Sequence, residues 1–338
     1  MNKFFRSVFL ESVCLMILLS GCASGSSPVQ PTLTPLPPTK TPVSSATSQP
    51  AERLGELVVW SISGNPPFNA PTGLALDSHG NLYVIDESPR IQKFDGDGHF
   101  ISMWGSMGSE DGQFDCQVPC GIAVDQQDNV YITDSRNSRV QKFDSNGQFL
   151  MKWGSSGHED GQFSSTLYGI AVDGEGNVYV GDIGNSRVQK FNSNGQFLMK
   201  WGSSGHEDGQ FMGLAGIAID AQGNIYVTDR EGNGIQKFDS HSQFLAKWDT
   251  CGGGKFPTVH SATGISVDTQ GNIYVSDRSN NRICKYDSNG RFLIRWGGPD
   301  APEGQPRLPS PAGNAVDQQG NVYVAELFND LVVKFRQR

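Results

Sequence analysis

Between Gly121 and Gly154 the chain reads GIAVDQQDNVYITDSRNSRVQKFDSNGQFLMKWG, and from Gly169 to Gly202 it reads GIAVDGEGNVYVGDIGNSRVQKFNSNGQFLMKWG. Looser copies begin at Gly73, Gly216, Gly264 and Gly313, so successive spacings are 48, 48, 47, 48 and 49 residues. A fixed period of this length confines the chain to architectures in which one supersecondary unit stacks on copies of itself.

Each copy alternates four stretches rich in β-branched and aromatic residues with turn chemistry. In the second copy the stretches are GIAVD, NVYIT, RVQKF and QFLMKW. The first turn has the form DxxGN, in which the Asp (Asp125 here) accepts backbone N–H groups and the Gly takes left-handed backbone. Asp128 replaces that Gly in the second copy, and Asp tolerates this conformation better than most residues. The third turn, DSNG at residues 144–147, is again hairpin chemistry. Four strands joined this way make one antiparallel sheet that is apolar on both faces. Such a sheet buries both faces only by stacking on its copies around an axis, which predicts an all-β chain folded as a β-propeller.

The sixth copy stops at Lys334-Phe335, after its third strand, with no QFLMKW equivalent. A matching stretch stands before the first copy: GELVVW, residues 55–60, aligns with Gly147 to Trp153 but is one residue shorter, placing Trp60 on Trp153. An N-terminal strand completing the last blade closes the ring and removes two sheet edges. The expectation is therefore six blades with that closure. The pattern PxGIAVDxxGNVYVxDxxNxRVQKF resembles the NHL repeat family of six-bladed propellers over about residues 55–338. The resemblance implies the fold strongly and no single activity, because that family includes binding modules and a few lyases.

Residues 1–21 read as an export signal in which Lys3 and Arg6 precede the apolar run 13–19, too short to span a bilayer comfortably. The tetrapeptide Leu19-Ser20-Gly21-Cys22 resembles a bacterial lipoprotein cleavage box, which implies Cys22 as a lipidated mature N-terminus. Several acyl chains anchor stably where one does not. Residues 23–50 hold seven prolines and a single charge, Lys40, the composition of an extended disordered tether. The expected organisation is signal (1–21), lipidated Cys22 with tether (22–50) and propeller (51–338). The protein is then exported and lipid-anchored to the bacterial cell envelope. Its place is the outer face of the cytoplasmic membrane, or the outer membrane where one exists, and Ala23 after the cysteine resembles outer-membrane sorting. Formal net charge is -9, so a general attraction to nucleic acid is not expected. A monomer is expected.

An exported chain is free to form disulfides. Cys116 and Cys120 share one inter-blade loop, Cys251 enters the fifth blade and Cys284 lies on its third strand. The sequence leaves both pairings open.

In a propeller the inter-blade loops and the loops between second and third strands share one face. Residues preceding the inner-strand glycine stand near the channel mouth there: Thr72, Cys120, Tyr168, Ala215, Thr263 and Ala312. They vary while the frame around them repeats, which marks them as candidate ligand contacts. On the same face an acid ending the second strand recurs with an Arg opening the third. The pairs are Asp86/Arg90, Asp134/Arg139, Asp182/Arg187 and Asp277/Arg282. Recurrence makes these structural pairs. In the fourth blade Asp229 meets Gly234, and in the sixth Glu326 meets Leu331. Those acids, with Glu231 and Asp330 nearby, lack the expected partner and stand as candidates for a cation or a basic ligand.

Enzyme chemistry has little support. Of six histidines only His260 approaches the channel side, so the channel-side zinc-binding histidine set of the family's peptide-amidating lyases does not carry over. No GxSxG elbow, phosphate-binding Gly loop or Cys/His nucleophile pairing is present. No catalytic residue, metal ligand or cofactor is assigned. The recurring Trp104, Trp153, Trp201, Trp248 and Trp296 fit inter-blade packing. The expected role is a binding scaffold for a protein, peptide or glycan, supported on the loops 61–72, 106–120, 155–168, 203–215, 249–263 and 298–312. A metal-dependent hydrolase or lyase at the channel mouth is the alternative.

Overall fold

The computed structural model describes residues 52–54, 57–116, 120–231, 234–249, 251, 261–299, 301, 305 and 307–337. The expected signal, Cys22, the tether and His260 lie outside these residues. Among the described residues no helix is long and apolar enough to cross a membrane.

Strands form as the repeat dictates. In the third blade they are Leu167–Val172, Val178–Asp182, Arg187–Phe191 and Phe197–Trp201, hydrogen-bonded in chain order. Five sheets follow this plan, and the sixth adds strands from the N-terminus. Leu57–Ser63 pairs with Leu331–Gln337, and Glu52–Leu54 pairs outside it as a fifth strand. The chain is thus an all-β, six-bladed propeller whose last blade is closed by its N-terminal strand.

The register of that closure differs from the sequence alignment. Trp153 stands opposite Val140, but Trp60 stands opposite Lys334 and it is Ile62 that faces Val332, the equivalent of Val140. The strand has slid by two residues, a step that preserves strand alternation. Ile62, 2% exposed, packs with Phe68, Phe94 and Val332 at the site where other blades place tryptophan. The inner strands also begin earlier than their glycines, at Pro71, Leu167, Leu214, Ala262 and Pro311, with a register shift at the glycine.

The core is a ring of inter-blade layers. Each draws on facing surfaces of two adjacent sheets, as where Tyr131 and Val140 meet Leu167, Val178 and Phe191. The tryptophans seal these layers: ring centroids of Trp104–Phe143, Trp153–Phe191, Trp201–Phe238, Trp248–Tyr286 and Trp296–Phe335 lie 5.3–6.4 Å apart. Such contacts add about 1 kcal/mol each beyond area burial. The first turn is fixed by one carboxylate. Asp125 Oδ1 accepts N–H groups of Gln127 and Asn129, while Oδ2 accepts the Asn129 amide and the Tyr131 hydroxyl. Lys142 then sits 4.9 Å above the Tyr131 ring. Equivalent Asp, Tyr and Lys residues recur around the ring, from Asp77/Tyr83/Lys93 to Asp317/Tyr323/Lys334.

Two disulfides join Cys116 to Cys120 and Cys251 to Cys284, with sequence separations of 4 and 33. Loop-closure entropy scales with the logarithm of the loop, so replacing both members of the second by Ser should cost about 4 kcal/mol, and of the first about 2 kcal/mol. Urea unfolding of the two double variants checks this order, and an equal or reversed loss would show that packing of the cysteines in the core dominates.

Candidate functional site

Alternation of antiparallel strands places the inter-blade loops and the loops between second and third strands on one face, here termed upper. The residues before the inner-strand glycines meet at its centre, and all are buried: Thr72, Cys120, Tyr168, Ala215, Thr263 and Ala312. Each offers its carbonyl to the glycine of the preceding blade. A Cβ added at Gly216 would lie 2.7 Å from the Thr263 oxygen, and one at Gly313 would lie 2.6 Å from that of Thr72. Gly73, Gly121, Gly169 and Gly264 meet Cys120, Tyr168, Ala215 and Ala312 in the same way, so the contacts close a full circle. Only a residue without a side chain allows this approach.

Tyr168 crosses the axis. Its hydroxyl donates to the Thr72 carbonyl, 3.2 Å away and two blades distant. Burial raises the Tyr168 hydroxyl above its ordinary range, while Arg230 and Arg278 pull it back down. Thr263 Oγ1 lies 3.2 Å from the Pro311 carbonyl oxygen and 3.3 Å from that of Ala312, within donating distance of either. The mouth residues therefore form a hydrogen-bonded floor, and the side chains above it are those of the loops.

The strand-end acids hold those loops. Asp134 Oδ2 lies 2.7 Å from Arg139 Nε, and Asp134 Oδ1 accepts Asp115 N–H from the inter-blade loop. Arg139 Nη2 donates onward to the carbonyls of Glu110 and Gln113. Asp182–Arg187, at 3.0 Å, repeats the clamp, with Ser164 N–H on Asp182 and the carbonyls of His158, Glu159 and Gln162 on Arg187. The Asp86–Arg90 and Asp277–Arg282 pairs measure 2.8 and 2.7 Å. Burial raises the Asp86 carboxyl in spite of Arg90. Between acid and Arg a short 3-10 turn, such as Ser135–Asn137, lets the Asn amide bind the same carboxylate, 2.8 Å from Asp134 Oδ1.

The four remaining acids differ among themselves. Asp229, with no Arg opposite, accepts three backbone N–H groups, from Met212, Gly213 and Glu231. Glu231 is exposed. Asp330 Oδ1 accepts the N–H of Ala70 and ties the sixth blade to the first. Glu326 is 1% exposed; its Oε2 accepts the Asn329 amide at 2.9 Å, and its Oε1 makes no hydrogen bond among the described residues. Burial pushes its carboxyl up to about 8, only partly offset by Asn329, so Glu326 is largely protonated at neutral pH.

Sequence reasoning missed the arginines at the mouth. Glu87, Ser135, Ile183, Arg230, Arg278 and Leu327 follow the strand-end acids, and this column varies as much as the pre-glycine column does. Arg230 and Arg278 are half-buried, and Arg278 Nε donates to Ser310 Oγ. That variability against a constant frame was the signal available. On the lower face Asp77, His79 and Asp128 bring three metal-capable side chains together. Asp77 there already accepts Asn81 and Tyr83, and Asp128 accepts Ser78 N–H and Oγ–H.

The comparisons agree with this architecture. The NHL repeat model matches residues 117–143, 211–238 and 260–286, so the chain carries NHL repeats. No curated protein matches the sequence. Among solved structures the chain is similar to a gluconolactonase from Xanthomonas campestris (TM-score 0.58, 15% identity, 88% of this chain and 98% of that one). It is also similar to virginiamycin B lyase from Staphylococcus aureus (0.57, 11%, 82% and 99%). An auxiliary nutrient binding protein from Bacteroides thetaiotaomicron is a third (0.58, 17%, 80% and 70%). At such identities the likeness is one of fold, shared by enzymes and binding proteins alike.

Proposed function

We propose that this protein is an exported, membrane-tethered binding scaffold whose upper face recognises a protein, peptide or glycan. One observation carries the reading: strand-end acids and arginines pin the inter-blade loops that enter the second and third blades beside the hydrogen-bonded Tyr168 floor. Loops held in place before binding lose little conformational entropy when a ligand arrives, which is what a recognition surface requires. The NHL repeats and the likeness to a nutrient binding protein support the same reading.

Peptide and glycan arrays probed with the purified protein test it. A ligand should be retained, and Arg136→Glu, at an exposed arginine in the 3-10 turn of the second blade on the upper face, should abolish retention without changing the melting temperature. Chelator-sensitive turnover of a lactone or a cyclic peptide, with near-stoichiometric metal in the purified protein, would instead make it a metal-dependent hydrolase or lyase. The tether is tested separately. Cys22→Ser should abolish incorporation of labelled fatty acid and move the protein from the membrane fraction to the soluble one, and unchanged fractionation would remove the lipid anchor from the proposal.

A further inference from the structure

The lower face holds a cavity of about 260 Å³ between the fifth and sixth blades. It is lined by Asp268, Gln270, Lys285, Trp296, Gln319 and Arg336, among others. The repeat explains its position. In the second, third and fifth blades the third turn lies on the tryptophan of the blade before it. A Cβ at Gly195 would lie 2.8 Å from Trp153, and one at Gly290 would lie 2.7 Å from Trp248. In the sixth blade the third strand is still paired at this level, Arg336 opposite Val58 and Gln337 opposite Leu57, because it is completing the ring. Trp296 responds by turning. It stacks on Tyr274 at 9°, where the other blades hold their Tyr–Trp pairs at 72–77°.

The altered junction leaves donors facing the cavity. In three blades the lysine above the tyrosine donates to a carbonyl of the next blade's third turn: Lys93 to Ser145, Lys237 to Ser288 and Lys334 to Gly96, whereas Lys142 and Lys190 keep only their tyrosine ring and aspartate among the described residues. At Lys285 strand replaces that turn, and the ammonium lies 4.8 Å above the Tyr274 ring and 3.8 Å from Asp268 Oδ2. Asp268 is already committed to Asn272 and Tyr274. Arg336 is exposed and forms no ion pair among the described residues. The lining is therefore rich in donors and carries one uncompensated positive charge.

We propose that this cavity binds the carboxylate of a small organic acid about the size of one hexuronic acid. One carboxylate oxygen takes the place of the missing turn carbonyl on Lys285, and the other pairs with Arg336. The volume lies just below the range of about 300–1,000 Å³ that holds drug-sized ligands, which suits a single sugar-acid ring. The site is on the face opposite the loops of the proposed scaffold and stands or falls independently of that reading.

Calorimetric titration of the full-length protein with D-glucuronate, with D-glucose as the neutral ring of matched size, tests the proposal. Glucuronate should saturate one site and change the tryptophan emission. Arg336→Gln should weaken it at least tenfold at an unchanged melting temperature, Lys285→Met should weaken it comparably, and Trp296→Phe should remove the emission change. Absence of saturable glucuronate binding, binding that survives Arg336→Gln, or equal binding of glucose would overturn it. Acetate binding as tight as glucuronate would overturn the ring-sized ligand and leave only a simple anion site.

Discussion

Gly121→Ala is expected to destabilise the propeller by about 3 kcal/mol, the upper end of what overpacking usually costs. The new methyl would fall inside the contact distance of the Tyr168 carbonyl oxygen, a backbone atom unable to rotate away. Tyr168 in turn is anchored across the axis to Thr72, so displacing its backbone disturbs two further blades. Gly174→Ala is the matched control: it lies exposed in a first turn, its nearest neighbour is the Gln126 amide at 3.4 Å, and its cost should stay within about 0.5 kcal/mol. Urea unfolding of both variants decides the matter. Equal costs would mean that the inner circle yields freely and is no constraint on the fold.

The second large effect is a dependence on pH centred on Glu326. Its carboxyl is raised from about 4.5 to about 8, chiefly by burial, so the folded state retains a proton that the unfolded state releases. Stability from this group is complete below about pH 4.5, declines as pH rises from there to about 8, and is gone above it. The span corresponds to about 5 kcal/mol, to order of magnitude. Glu326→Gln, which cannot ionise, should therefore match the parent near pH 4 and exceed it by several kcal/mol at pH 9. Glu326→Asp combined with Leu331→Arg should install the ion pair of other blades and flatten the same dependence. Parallel pH–stability curves for parent and Glu326→Gln would show that the carboxyl is not buried as described.

Much of this molecule was legible because its determinants are local and repeated. DxxGN turns, hairpin glycines and alternating apolar strands act over a few residues, and their period announces how many sheets must stack. The candidate site was legible only in position. The pre-glycine column pointed to the mouth, but Tyr168 reaches a residue 96 positions away, and no local pattern encodes that hydrogen bond. Asp229 read as an acid without a partner because the sequence shows side chains, whereas its partners are backbone N–H groups of Met212, Gly213 and Glu231. The mouth arginines were overlooked because an Arg after an Asp in a turn looks like ordinary surface.

The repeat by itself determined the all-β class, six blades, the first and third turns and a ring closed by the N-terminal strand. Each follows from short-range backbone preference and from the need to bury two apolar faces. Tertiary structure alone decided the register of closure, with Ile62 in the tryptophan place, and the turned Trp296 beside its cavity. Both depend on how residues 57–63 meet residues 331–337 from the far end of the chain. There strand alternation permits a slip of two residues, and only packing against the neighbouring blades selects among the registers.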